Sequence, residues 1–366
     1  MKILVLTCST GGGHNSCARY ITAEFKKNNI SCDCIDYFNL IGKNASKIAE
    51  NIYLTTTLGN GKIFKGLYKL GELYNKTGLI SPVYGINKMT CGRVLKFIKA
   101  KKYDIVICTH LFPALAITSL KEKEDITLIN VATDYRVIPF WNETNPDYFV
   151  IPSKLLKKEF KAAGFKDKIL VCTGIPVSSD FKNVKKLNLP RDKKRILITS
   201  GSMGFGNLCE LVKILLSIMD AYIIVVTGNN SKMYRELSKI KNDNLLVKGY
   251  IKNLNDYIAA SDLVLTKPGG LTTTEVAVLN KPFIHINPIP GVENYNASFF
   301  YKNKMSLIGR NNNEIIKNII KLLYDDKLRK KMIKNQQKII NDKSASDLVK
   351  FVKENIISKK EQKNEQ

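Results

Sequence analysis

The strongest constraint on this chain is an alternation. Apolar runs of strand length recur along it at 3–6, 32–35, 105–108, 127–131, 148–151 and 169–172, then again at 196–199, 222–226, 245–247, 263–266, 283–286 and 306–308, with helix-length segments between them. Short continuous apolar runs are what strands buried on both faces look like, and strands that alternate with helices form parallel sheets with crossover helices. Six runs followed by six more predict an α/β protein of two doubly wound, Rossmann-like halves. The length of 366 residues exceeds what one hydrophobic core sustains, so two domains are expected. Residues 176–195 hold two prolines, many Lys and Asn, and no periodic apolar pattern, which reads as a seam. The expected layout is a first domain over 1–178, a linker over 179–195 and a second domain over 196–340. A C-terminal helix over 341–357 would pack back on the first domain, and the polar tail 358–366 would be disordered.

Open α/β sheets bind ligands outside the carboxyl ends of their strands. Here those ends carry the unusual residues: Gly11-Gly12-Gly13-His14, Thr109-His110, Thr133-Asp134, Ser200-Gly201-Ser202, Thr227-Gly228-Asn229-Asn230 and Pro268-Gly269-Gly270. Two such rims facing each other across a cleft would make one site. The richest stretch runs from Thr266 to Glu275, after the apolar Leu263-Val264-Leu265 and ahead of a helical run over 275–279. A glycine pair there lets backbone approach an anion closely. The hydroxyls of Thr272, Thr273 and Thr274 can cap the helix or bind phosphate oxygens. Glu275, in the first turn, can accept hydrogen bonds from a ribose. The package suits a sugar nucleotide, and ordinary capping of a strand–turn–helix junction is the alternative. The loop Ser200-Gly201-Ser202-Met203-Gly204-Phe205-Gly206 does not fit G-x-G-x-x-G, and no P-loop lysine motif occurs. Such a loop still offers backbone N–H groups to a pyrophosphate.

There are three histidines. His14 follows three glycines and opens a helix over 15–27, where amides and the helix dipole favour an anion. His110 has a weaker claim, and His285, within a strand, reads as structural. Asp134 sits at a strand's carboxyl end, where a carboxylate near an imidazole can act as a general base or simply cap a turn. Trp141 is either a wall for an acyl chain or core.

The net charge of +26, from 58 basic and 32 acidic residues, favours a polyanionic partner. Lys outnumbers Arg heavily, which suits diffuse attraction rather than base readout, although a lysine-rich genome gives the same bias. A nucleic-acid binder would cluster its charge in a groove and leave the strand ends plain, so nucleic acid is not an expected partner. Residues 43–102 concentrate eleven Lys and one Arg against two Glu among Tyr, Leu, Ile and Phe. That mixture fits a surface lying on anionic lipid, or helices packed on the sheet with a solvated Lys face. No apolar run reaches the roughly 18 residues of a membrane span, and 3–6 is too short for a signal peptide, so a cytoplasmic location is expected. The eight cysteines contain no C-x-x-C pair, and neither zinc nor a redox motif is signalled. Most of them, Cys108 and Cys172 included, read as small buried hydrophobes.

With Gly11-Gly12-Gly13-His14 and Ala18, Thr133-Asp134-Tyr135 with Trp141, Thr173-Gly174-Ile175-Pro176, Ser200-Gly201-Ser202, Gly249-Tyr250, Pro268-Gly269-Gly270-Leu271-Thr272 with Glu275, and the run from Pro290 to Ala297, the chain resembles a known family. It is similar to the processive diacylglycerol glycosyltransferases and monogalactosyldiacylglycerol synthases, relatives of the peptidoglycan enzyme MurG with the GT-B fold. The resemblance implies inverting transfer of a hexose from a UDP-sugar to diacylglycerol, or to a glycosyl-diacylglycerol, by a protein peripheral on the inner face of the cell membrane. By the same resemblance Gly249, Tyr250 and Ile251 would hold uracil, and Glu275 the ribose. Gly201, Ser202, Gly269, Gly270 and Thr272 would hold the pyrophosphate, and Glu293 and Asn296 would lie near the sugar. His14 and Asp134 would activate the acceptor hydroxyl, with Gly12, Gly13, His110 and Trp141 around the acceptor. No cofactor and no catalytic metal are implied; the partners are the UDP-sugar, diacylglycerol and anionic lipids. Two positions depart from the pattern: the run Arg136-Val137-Ile138-Pro139-Phe140 lacks a His common between the Asp and the Trp, and Val292 stands where Gln is common before the Glu of the sugar loop. A MurG-like transferase or a UDP-N-acetylglucosamine 2-epimerase on the same fold is the alternative. The basic, aromatic segment 43–102 argues against the epimerase.

Overall fold

A computed structural model describes residues 1–9, 12–42, 62–75, 77–201, 204, 208–359 and 362. Among them, twelve strands form two six-stranded sheets in which every pairing is parallel. The first sheet contains β1 (Lys2–Thr7), β2 (Ser31–Asp36), β3 (Ile105–Cys108), β4 (Thr127–Val131), β5 (Tyr148–Val150) and β6 (Leu170–Val171), in the order β2-β1-β3-β4-β5-β6. The second contains β7 (Lys194–Thr199), β8 (Ala221–Val226), β9 (Leu245–Lys248), β10 (Leu263–Thr266), β11 (Phe283–Ile286) and β12 (Leu307–Gly309), in the order β12-β11-β10-β7-β8-β9. In each sheet the chain first adds strands to one side and then crosses to the other. The reversals fall between β1 and β3 and between β7 and β10. Such switch points open a crevice at the carboxyl edge.

The apolar runs follow from this arrangement. Ile3, Leu4, Val5 and Leu6 of β1 and Ile196, Leu197 and Ile198 of β7 are fully buried, because helices cover both faces of each sheet. Contacts divide the chain into one unit of 1–179 with 342–366 and another of 180–341. Within the first unit the Ser344–Val352 helix lies on the Gly12–Lys27 helix. Val177 N–H donates to Ser344 Oγ at 2.9 Å, and the Tyr148 and Phe351 rings meet at 5.0 Å.

Several local expectations are corrected. The helix after β10 begins at Gly270, not 275, because Gly269 takes an extended backbone (φ −69°, ψ 135°) that starts a helix with no side-chain cap. The threonines are therefore inside its first turns: Thr274 Oγ1 donates to Gly270 O at 2.7 Å. Glu275 falls in the second turn, not the first, and is buried. The helix expected at 15–27 begins at Gly12, which puts His14 within its first turn. Strand β6 stops at Val171, so Cys172 is exposed rather than buried. Of the segment 43–102, residues 43–61 and 76 lie outside the described residues. The remainder forms the Lys62–Asn75 and Pro82–Lys101 helices, the latter capped by Ser81, whose Oγ accepts the Tyr84 N–H at 3.1 Å. Most of the tail 358–366, Gly11 and Ser202 also lie outside the described residues.

Candidate active site

At the switch point of the first sheet, β1 and β3 end side by side, and the Gly12–Lys27 and Leu111–Leu120 helices start just beyond them. Gly12 and Gly13 form the first turn with His14. His14 Nδ1 lies 2.8 Å from the Thr109 carbonyl and 3.0 Å from Thr133 Oγ1. A carbonyl has no hydrogen to give, so Nδ1 carries the proton and, in the neutral ring, Nε2 carries the lone pair. Thr109 Oγ1 donates back to the His14 carbonyl at 3.3 Å, so one strand-end residue grips the helix start twice. His110 stands edge-on to His14 with ring centres 4.7 Å apart. It is the cap of its helix: its Nδ1 accepts the Phe112 N–H at 3.2 Å. Desolvation lowers the pKa of His14, while the Asp134 carboxylate and the Thr109 carbonyl pull it partly back up. Desolvation, and then the neighbouring His14, hold His110 well below its usual value. The result is a neutral, oriented imidazole beside a carboxylate, which is the arrangement of a general base.

Asp134 opens a loop that is fastened at several points. Val137 N–H donates to Glu159 Oε1 at 2.8 Å, and Arg136 pairs with Glu72 at 3.2 Å. Trp141 is only 3% exposed and packs on Phe149 with ring centres 4.9 Å apart. It is core, so the reading of Trp141 as a wall for an acyl chain is set aside. Glu143 accepts from Ser81 N–H at 3.0 Å and from Ser81 Oγ at 2.7 Å.

In the second sheet the register aligns Thr199 with Val226 and Thr266, Val226 with Lys248, and Thr266 with His285. The residues that follow therefore share one edge: Ser200-Gly201, Thr227-Gly228, Gly249-Tyr250 and Lys267 to Gly269. Gly249 has room for a Cβ, which would meet Gly228 O at an ordinary 3.8 Å, and the Tyr250 ring is half exposed. Ile251, the next residue, is partly buried. Gly269 and Gly270 form the N-terminus of the Gly270–Val278 helix, and Thr272 is partly exposed in its first turn. Lys267 Nζ reaches Glu293 Oε1 at 2.6 Å, and Glu293 Oε2 accepts the Ile289 N–H at 2.8 Å. Asn296, fully buried, donates from Nδ2 to Pro268 O at 3.0 Å and so braces the glycine turn. His285 lies between Thr273 Oγ1 and Ser306 Oγ, each at 3.2 Å.

Two residues of this rim had no role in the sequence reading. Ser200 is 2% exposed, and its Oγ has no hydrogen-bond partner among the described residues. A buried hydroxyl left unpaired is costly, and at a strand's carboxyl end an oxygen-rich ligand would satisfy it. Lys267 crosses over Gly201: a Cβ on Gly201, whose φ is +76°, would sit 2.7 Å from Lys267 Cε. Gly201→Ala should therefore strain the backbone by about 1–2 kcal/mol and push Lys267 off Glu293. The expected result is a lower urea midpoint for the variant, by about 1–2 kcal/mol in stability, and an unchanged midpoint would show that the backbone and Lys267 adjust without cost.

Residues 14–177 match the family described as monogalactosyldiacylglycerol (MGDG) synthase, and residues 195–352 match the glycosyltransferase family 28 C-terminal domain. A processive diacylglycerol beta-glucosyltransferase of Bacillus cereus (strain 03BB102) is 30% identical over 363 residues, covering 95% of this chain and 92% of the relative. The chain belongs to the diacylglycerol glycosyltransferase family. Solved structures carry the same two-unit GT-B fold at much lower identity. Acinetobacter baumannii MurG aligns with a TM-score of 0.63 at 15% identity, over 96% of this chain and 99% of that one. A UDP-GlcNAc 2-epimerase from Neisseria meningitidis bound to UDP-GlcNAc aligns with 0.62 at 14%, over 97% and 100%. The fold alone thus does not separate transferase from epimerase; the sequence relationship does.

Proposed function

We propose that this protein is an inverting glycosyltransferase that moves a hexose from a UDP-sugar to diacylglycerol, or to a glycosyl-diacylglycerol, at the cytoplasmic face of the membrane. The observation that carries the reading is His14: its Nδ1 is committed to the Thr109 carbonyl, so Nε2 is the basic nitrogen. The acceptor hydroxyl gives its proton to Nε2, its oxygen bonds to the anomeric carbon, and the bond from that carbon to UDP breaks on the opposite face. Asp134 stabilises the imidazolium that forms. UDP leaves with the bonding electrons, and its charge is met by the Gly270–Val278 helix N-terminus, by backbone at Gly201 and by Lys267. The reading includes no catalytic metal and predicts full activity in EDTA. Gly249, Tyr250 and Ile251 take uracil, Glu275 the ribose, and Glu293 and Asn296 the sugar.

The membrane part rests on an exposed apolar face. Leu70 and Leu73 of the Lys62–Asn75 helix, Leu79 and Ile80 of the following turn, and Ile86 and Met89 of the Pro82–Lys101 helix are 63–87% exposed. Single exposed apolar residues are ordinary, but six along one helix–turn–helix amid lysines fit a surface that enters anionic lipid. No helix among the described residues is long and apolar enough to cross a membrane. Leu73→Asp with Met89→Asp should weaken sedimentation with anionic vesicles at least tenfold, since each buried leucine-sized side chain contributes roughly 1.5–3 kcal/mol. The deciding experiment offers labelled UDP-glucose, UDP-galactose and UDP-N-acetylglucosamine with diacylglycerol in such vesicles. Glycolipid from one of them supports the proposal. UDP binding without glycolipid from any donor overturns diacylglycerol as the acceptor and leaves a transferase acting on another lipid.

A further inference from the structure

The loop over 133–143 is tied to both helices that carry the exposed apolar face. Arg136 Nη2 donates to Glu72 Oε1 at 3.2 Å on the Lys62–Asn75 helix. Pro139 and Phe140 lie against the same helix: a Cβ on Gly71 would touch both at 3.4 Å, and the Tyr74 and Phe140 rings meet at 6.4 Å. Glu143 holds Ser81, the cap of the Pro82–Lys101 helix, with both carboxylate oxygens. On that helix Gly71 is buried and Glu72 and Tyr74 are half-buried, while the neighbouring Lys69, Leu70 and Leu73 are exposed. The same turns of helix thus carry both the contacts to the loop and the exposed apolar residues.

We propose that Glu72 is a positioning residue: by holding Arg136 it sets Asp134, two residues upstream, and so couples contact with a lipid surface to activation of the acceptor hydroxyl. This rests on the function proposed above. The physical basis is the exposure of the pair. The Arg136 and Glu72 side chains are 32% and 30% exposed, and a pair this open to water holds its partners only weakly. A bilayer pressed against Leu70 and Leu73 removes water from the helix, lowers the local dielectric and strengthens the pair. The loop's other fastenings hold with or without lipid, and the Arg136–Glu72 tie is the one that lipid contact strengthens.

The test uses a water-soluble acceptor, dihexanoylglycerol at saturation, so that transfer does not require a membrane. Acceptor-free anionic vesicles are then added. The wild type should gain in kcat by roughly fivefold or more, the lower end of ordinary coupling between sites. Glu72→Gln should lose that gain while its vesicle sedimentation and its KM for the UDP-sugar stay within about twofold, and the charge swap Glu72→Arg with Arg136→Glu should recover it. Equal stimulation of wild type and Glu72→Gln overturns the inference, as does a wild type that vesicles do not stimulate. Loss of vesicle binding in Glu72→Gln would overturn it too, by making the residue a support of the fold. A wild type with no transfer to any acceptor overturns the transferase reading itself, an outcome distinct from an active wild type matched by its Glu72→Gln variant.

Discussion

His14→Ala should lose about 10²- to 10⁴-fold in kcat while binding UDP as the wild type does, the loss expected when a general base is removed. His14 lies in the first unit, so urea unfolding of the variant beside the wild type, followed by circular dichroism, separates lost chemistry from lost folding. The pH profile makes the assignment sharper. The base is the neutral imidazole, and desolvation lowers the His14 pKa below its ordinary value. Activity should therefore be flat from about pH 6.5 upward and fall only below that, as His14 takes up a proton. Asp134→Asn should move the falling limb to still lower pH, because the Asp134 carboxylate is one of the influences that raise the His14 pKa. It should also slow transfer, since no carboxylate then faces the imidazolium. If the acid limb instead survives unchanged in His14→Ala, Asp134 is the base and His14 its support.

Acid should weaken the second unit through His285. The ring is fully buried, edge-on to Phe283 at 5.1 Å and to Phe300 at 5.8 Å, with both nitrogens at hydroxyls. Desolvation pushes its pKa down to about 3. The unfolded chain binds that proton near pH 6.5, the folded chain only near 3. The stabilisation from a neutral His285 is therefore complete above pH 6.5 and drains away as pH falls toward 3, by about 1.4 kcal/mol per pH unit. His285→Gln keeps a donor and an acceptor but carries no titrating group. Urea unfolding followed by circular dichroism at pH 7.5, 6 and 5 should show the variant less stable at pH 7.5 by roughly 1–3 kcal/mol, yet with a flatter decline. Parallel declines would mean that other groups govern the acid response.

The two parallel sheets were legible because strands covered on both faces leave continuous apolar runs, and little else in a soluble chain does. The helix starts were less so. A glycine pair reads as loop, yet Gly269 and Gly270 begin a helix, since extended glycine needs no capping side chain. Whether Trp141 or His110 faces a ligand or the interior depends on neighbours distant in the chain, and the structure turns Trp141 inward and uses His110 as a cap. The orientation of His14 was invisible for the same reason: its partners Thr109 and Thr133 lie 95 and 119 residues away. Lys267 stood in the richest motif and still had no reading, because in a chain with 58 basic residues one more lysine carries no signal until its partner Glu293 is seen.

The polypeptide leaves the first unit after Ser179 and re-enters it at Asp342. A ribosome must therefore finish the whole of the second unit before it delivers Leu348, Val349 and Val352, the fully buried residues of the Ser344–Val352 helix, to the Gly12–Lys27 helix made at the outset. The part synthesised first is completed last, and its apolar flank waits uncovered in the nascent chain for most of translation, a period in which chaperones can bind it. A message cut short near its end would yield a sealed second unit attached to an unsealed first unit carrying His14.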